Sequence, residues 1–127
     1  MSIDNIRLSQ QAKDQLIKLK RLTGIAYWNE LCRWGFCVSL AEPSIPTNIN
    51  IPSDSNVEMS WRVFGGRNSD IFMVLLKMRV LKDGLPLNDE TLAQQFRLHL
   101  HRGISYLSAD KSLRGIDDLV SLVVKPA

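Results

Sequence analysis

His99 and His101, spaced two apart in HLH, are by residue type the obvious pair for a metal. On a strand both rings would share one face. Here the pair falls inside a strong helical pattern, where two residues turn the chain by about 200° and send the rings to opposite sides. Asp110, Asp117 and Asp118 add no recognised ligand spacing, so no metal site and no cofactor is expected. Cys32 and Cys37 lie five apart, about 140° around a helix, too far to bridge or to share an ion. They read as two reduced, buried thiols. No serine sits in a sharp glycine-flanked turn and no P-loop lysine follows a glycine-rich run, so no catalytic residue is expected. Gly65-Gly66-Arg67-Asn68-Ser69 precedes a helix start and could cradle a phosphate on backbone N–H groups; a plain capped turn is the simpler reading.

The charges are more informative. Residues 1–40 carry six basic side chains (Arg7, Lys13, Lys18, Lys20, Arg21 and Arg33) against three acidic ones, whereas residues 41–127 carry ten of each. The whole excess of +3 therefore sits at the front. A local basic patch suits an anionic partner such as nucleic acid. The same charges also suit a solvated helix face.

The elements that must position these residues are mostly helical. Asn5-Ile6-Arg7-Leu8 alternates as a short strand, with Asn5 and Arg7 outward. Ser9 caps a helix over 10–22 whose apolar residues are Ala12, Leu16 and Leu19, and Gly24 closes it. A second helix over 26–41 is apolar nearly all round: Tyr27, Leu31, Trp34 and Val38 on one stripe, Trp28 and Cys32 on another, Phe36 on a third. Such a helix must be buried on more than one side. A second subunit is one cover, which makes Tyr27, Trp28, Leu31, Trp34, Phe36 and Val38 the expected oligomer interface; later helices of the same chain are the other.

A proline- and asparagine-rich connection over 42–56 follows, either a functional loop or an ordered wrap. A strand is expected over 57–66 with Met59, Trp61 and Val63 on one face. Helices are expected over 70–81 (Ile71, Val74, Leu75 and Met78 inward), over 88–107 (Leu92, Phe96, Leu100, Gly103 and Leu107 inward) and over 113–123. The 127 residues, 45% hydrophobic, suit one domain spanning 1–127. No apolar run is long enough to span a membrane, and the N-terminus lacks a signal-peptide plan, so a cytoplasmic protein is expected. The fold class is mainly α with one or two short strands. The opening strand, helix, glycine turn and buried helix match the order of a ribbon-helix-helix unit, in which two chains pair their strands.

The pattern RLSxxAKxQLxxLKRLTGIxxWNxLCRWxFCxSLxEPSxP, Arg7 to Pro46, resembles the signature of the DNA sulfur modification protein family DndE. The likeness continues through MSWRVFGG and LHLHRGISYLS and so covers almost the whole chain. The resemblance implies a small, mostly helical homotetramer that binds double-stranded, preferably nicked, DNA. It implies work beside a cysteine desulfurase, an iron–sulfur sulfurtransferase and an ATPase, which carry the chemistry of replacing a phosphate oxygen by sulfur. The expected function is a non-enzymatic DNA-binding accessory subunit with Arg7, Lys13, Lys18, Lys20, Arg21 and Arg33 on phosphates. The alternative is a helical adaptor that organises the sulfurtransferase and ATPase. A nicking nuclease would have to draw on Glu30, Glu58, Asp70 or His99.

Overall fold

The computed structural model describes residues 3–124. In chain order the elements are β1 (Asn5–Arg7), α1 (Gln10–Thr23), α2 (Trp28–Ala41), β2 (Glu58–Ser60), α3 (Trp61–Gly65), a 3-10 turn (Gly66–Asn68), α4 (Ser69–Lys82), α5 (Asp89–Ala109) and α6 (Ile116–Val124). No described helix is long and apolar enough to cross a membrane.

Local sequence explains most boundaries. Ser9 Oγ accepts the Ala12 N–H at 3.0 Å to start α1. Gly24, at φ 76°, closes it by donating its N–H to Lys20 O, a left-handed position that side chains resist. Asn88 Oδ1 accepts from Thr91 N to start α5, with Asp89 and Glu90 in the first turn. α2 begins two residues later than its apolar pattern suggests, because Tyr27 is still extended.

The centre of the domain is the crossing of α2 and α5, the most extensive helix pair in the chain. Gly35 and Gly103 meet there. A Cβ built on Gly103 would lie 1.5 Å from Gly35 O, so the two backbones touch where no side chain fits. Around this point the rings of Phe36 and Phe96 meet tilted at 5.2 Å, and Phe64 and Trp61 join Phe96 at 4.9 and 4.8 Å. Leu31 and Phe36 are 0% exposed within this single chain. α2 is thus covered by its own later helices, and Leu31 and Phe36 have no surface to offer a partner. Tyr27 is 66% exposed, while Trp28, Trp34 and Val38 pack partly buried against the core. Cys32 is buried, and that burial pushes its thiol up to about 12. Cys37 is exposed rather than buried, and neither cysteine is bridged.

Three further expectations are corrected. β1 does pair antiparallel, but with β2 of the same chain, Ile6 opposite Met59; it is not the free strand of a two-chain ribbon. The strand over 57–66 stops at Ser60, whose Oγ accepts from Val63 N and caps the helix α3. Phe64 then points inward and Val63 outward. Finally, α4 is turned over. Its buried residues are Leu76, Arg79 and Val80, with Phe72 and Met73 partly buried. Ile71, Val74, Leu75, Met78 and Leu81 are exposed.

The inversion of α4 has a polar cause. Arg79 lies on the inner face, forms a buried ion pair with Asp83 at 3.0 Å, and donates to the carbonyls of Leu40, Glu42, Pro43 and Ser44. Arg102 donates to Ser39 and Ser44, and Arg97 to the carbonyls of Arg7, Ile51 and Pro52. The connection over 42–56 is therefore an ordered strap. It has almost no core of its own, and three guanidinium groups satisfy carbonyls that would otherwise compete for water.

The histidines diverge as the helical spacing requires. His101 Nε2 accepts from Ser9 N at 3.2 Å while its Nδ1 donates to Arg97 O at 2.8 Å, a neutral ring joining α1 to α5. His99 faces the other way, with Nδ1 at 2.8 Å from Ser39 Oγ and Nε2 buried without a partner. Burial, with Arg79 and Arg102 adding to it against Asp83, lowers His99 to about 4. Burial and Arg97 lower His101 to about 4, against its bond to Arg97 O.

Two predictions follow from this packing. Gly103→Ala should destabilise by about 3 kcal/mol or more, because backbone must move, whereas Gly24→Ala meets open space and should cost about 1 kcal/mol for its φ alone; equal losses in urea melts would contradict the crossing. Both histidines are neutral when folded and bind protons more readily when unfolded. Stability should thus be full above pH 6.5 and fall between 6.5 and about 4. A loss of roughly 2 kcal/mol per histidine, about 4 kcal/mol for the two, is expected between pH 7 and 5; denaturation midpoints unchanged over that interval would refute it.

Candidate nucleic-acid interface

The six front-loaded basic residues do not form one surface. Lys13 and Lys20 share a stripe of α1, seven residues and about 10 Å apart, while Arg21 is turned about 80° and Lys18 about 140° from that stripe. Lys18 faces α5 and donates to Ser108 O at 2.7 Å. Arg7 is committed to Glu58 at 3.0 Å and to Ser55 O at 3.1 Å, and Lys13 to Asn56 Oδ1 at 2.6 Å. These two hold the second strand and its approach against β1 and α1. Their charge remains partly exposed, but part of their hydrogen-bonding capacity is already used.

The other three gather around the N-terminal half of α2. Lys20 Nζ stands 3.4 Å from the centroid of the Trp28 ring, a cation–π contact that holds the ammonium at the end of α1. Arg21, next to it, is exposed and has no partner among the described residues. On the other flank of α2, Asn29 Nδ2 donates to Val63 O, tying α2 to α3. Arg33 Nε donates to Asn29 O, and its guanidinium lies against Gly66, where a Cβ would come 3.3 Å from NH1.

That contact brings in two residues the charge count passed over. Arg62 is on α3 and Arg67 on the 3-10 turn, one turn apart, with the Gly66 N–H donated to Arg62 O. Both are exposed and unpaired among the described residues. In the sequence they sit in a half whose charges balance. In the fold some of that half's acids are used elsewhere: Asp83 holds Arg79, Asp54 accepts from Gln10 N, and Asp118 accepts from the N–H groups of Arg114 and Gly115. Asp70 is exposed in the first turn of α4, three residues after Arg67. The candidate basic arc is made of Lys20 and Arg21 at the end of α1, Arg33 on α2 and Arg62 and Arg67 on α3 and the 3-10 turn, with exposed Glu30 in the first turn of α2. Guanidinium groups with uncommitted donors suit phosphate oxygens, which they can bind in a bidentate fork.

Gly65-Gly66-Arg67-Asn68-Ser69 is thereby explained in part. Gly66, at φ 58°, lets the chain turn beside Arg33, and Trp61 Nε1 donates to Ser69 O across the turn.

The family model described as DNA sulphur modification protein DndE matches residues 5–115. A solved structure of DndE from Escherichia coli B7A, described as involved in DNA phosphorothioation modification, is 27% identical, with a TM-score of 0.69 over 84% of this chain and 98% of that one. A DndE mutant bearing lysines in place of glycines is 23% identical and has the same fold, with a TM-score of 0.65 over 85% of this chain and 99% of that one. No curated protein matches the chain significantly.

Proposed function

The chain belongs to the DndE family of DNA phosphorothioation systems, and we propose that it serves there as an accessory subunit that binds double-stranded, preferably nicked, DNA as a homo-oligomer. The observation that carries this reading is that folding leaves two surfaces unspent on one chain: the basic arc, and the apolar face of α4.

The arc offers about five cations per chain, too few for tight binding at physiological salt unless several copies act on one duplex. The α4 face supplies the means of association. Ile71, Val74, Leu75, Met78 and Leu81 form one exposed stripe on a helix whose opposite side is also apolar. A helix apolar all round is normally covered on both sides. A two-fold antiparallel pairing of α4 with a second copy would bury the stripe and bring Asp70 at one end toward Lys82 of the other copy. It would also oppose the two helix dipoles. The preference for a nick comes from the deformability that a broken strand permits. In this reading the chain is not an enzyme, and sulfur chemistry falls to the sulfurtransferase and ATPase of the system.

The adaptor reading is favoured by one feature, the 66% exposure of Tyr27 ahead of α2, since tyrosines commonly anchor protein interfaces.

Binding of a nicked duplex measured against salt tests the arc. Replacing Arg21, Arg62 and Arg67 together by Glu should lower affinity at least tenfold near 0.1 M salt and reduce the log–log salt slope by about 3 for each participating chain; unchanged affinity would favour the adaptor. Met78→Asp, at an exposed position, should preserve the fold and reduce the mass in solution to that of a monomer. DNA affinity should drop with it, and a Met78→Asp protein that keeps the wild-type mass would place the interface elsewhere.

A further inference from the structure

Between the strap and the surface of α1 and α5 lies an open cleft of about 460 Å³, within the size range of small-ligand sites. Its polar lining divides into two sets. Ser9, Asp54, His101 and Arg102 are already used by the fold. Gln11 and Gln15 of α1, Thr47 and Asn50 of the strap, and Ser105 and Tyr106 of α5 have no hydrogen-bond partner among the described residues.

The chemistry of the second set is specific. Three side-chain amides each carry a donor and an acceptor, the hydroxyls can do either, and none of the six is charged. A phosphate or carboxylate would find no uncommitted cation inside the cleft. A neutral planar heterocycle with alternating donors and acceptors on its edge would find partners for that edge. It would also find a stacking surface: the Tyr106 ring is 44% exposed, with the Arg102 guanidinium 5.7 Å from its centroid. Lys18 lies three residues beyond Gln15 on the same side of α1. Its ammonium spends one donor on Ser108 O and has two left.

We propose that this cleft receives the base of an unpaired nucleotide. Tyr106 stacks on the base, Gln11, Gln15 and Asn50 meet its edge, and Lys18 meets the adjoining phosphate. The inference rests on the DNA-binding reading above and deepens it. A nick frees a terminal nucleotide to leave the stack, so a base-binding cleft gives nick preference a source beyond bending.

Three duplexes at one ionic strength test the cleft: a flush nick, a nick with one unpaired nucleotide, and the same nick with an abasic sugar at that position. The base-bearing flap should bind about tenfold more tightly than the abasic one. Tyr106→Ala should abolish that advantage while keeping the wild-type melting temperature. Gln15→Leu should change which base is preferred. Equal affinity for the two flaps, or an advantage that survives Tyr106→Ala, overturns the cleft as a base site and leaves binding of the flush nick standing. If none of the three duplexes binds, the DNA-binding reading itself falls. The cleft then stands or falls on deoxynucleoside monophosphates alone: shifts of the Ser105 and Tyr106 amide resonances support it, and unshifted resonances overturn it.

Discussion

The contact between Gly35 and Gly103 is the constraint from which the rest of the packing follows. With no side chain between them, α2 and α5 approach until one backbone meets the other. Only at that separation do Phe36 and Phe96 reach each other, and only there does Ser39 on α2 reach His99 and Arg102 on α5. The same two helices thus create an aromatic core on one side of the crossing and a polar network beside it. Any widening would weaken both together, since dispersion falls off within an ångström and a buried hydrogen bond cannot be stretched cheaply.

The polar network explains how a chain of this size affords a strap of some fifteen residues without regular structure. Carbonyls of the strap would have to stay hydrated if the core offered them nothing. Arg79, Arg97 and Arg102 instead reach out of α4 and α5 and bind several carbonyls each. The strap in turn covers part of α1 and α5 and forms the far wall of the cleft. Arginine serves here because one fork satisfies several acceptors while remaining charged. Arg79 is therefore anchored in the interior by its contacts, with Asp83 balancing its charge.

How much of this was legible depended on whether a local rule decided the matter. Ser9 and Gly24 bound α1, and Asn88 starts α5, through caps that sequence alone reveals. The periodic residues Leu92, Phe96, Leu100, Gly103 and Leu107 are the buried face of α5. α3 was hidden because Ser60 fits both an alternating strand and a helix cap, and only the pairing of β1 with β2 decides between them. The face of α4 was hidden for a different reason. Ile71, Val74, Leu75 and Met78 make the better apolar stripe by type, yet the buried side is chosen by Arg79, whose partners are up to 39 residues away. The candidate site was legible only in its first half. Lys20, Arg21 and Arg33 stand out by charge imbalance, but Arg62 and Arg67 lie in a half of the sequence whose charges balance.

The α4 inversion also changes how the all-apolar argument applies. Helices α2 and α4 are both apolar on most sides, and each needs more than one cover. α2 receives its covers from α1, α3 and α5 because the glycine crossing draws it to the centre. Once α2 occupies that position, α4 can pack only one side against the same core, and the ion pair of Arg79 and Asp83 determines which. The uncovered stripe is then a consequence of the crossing. Glycine at two positions commits one apolar helix wholly to the chain's own core, and it leaves the other with a face that folding does not use. A similar division holds for the arginines: Arg79, Arg97 and Arg102 are held by carbonyls, and Arg62 and Arg67 have no partner among the described residues. What the domain offers to partners is thus fixed by what its central crossing leaves unsatisfied.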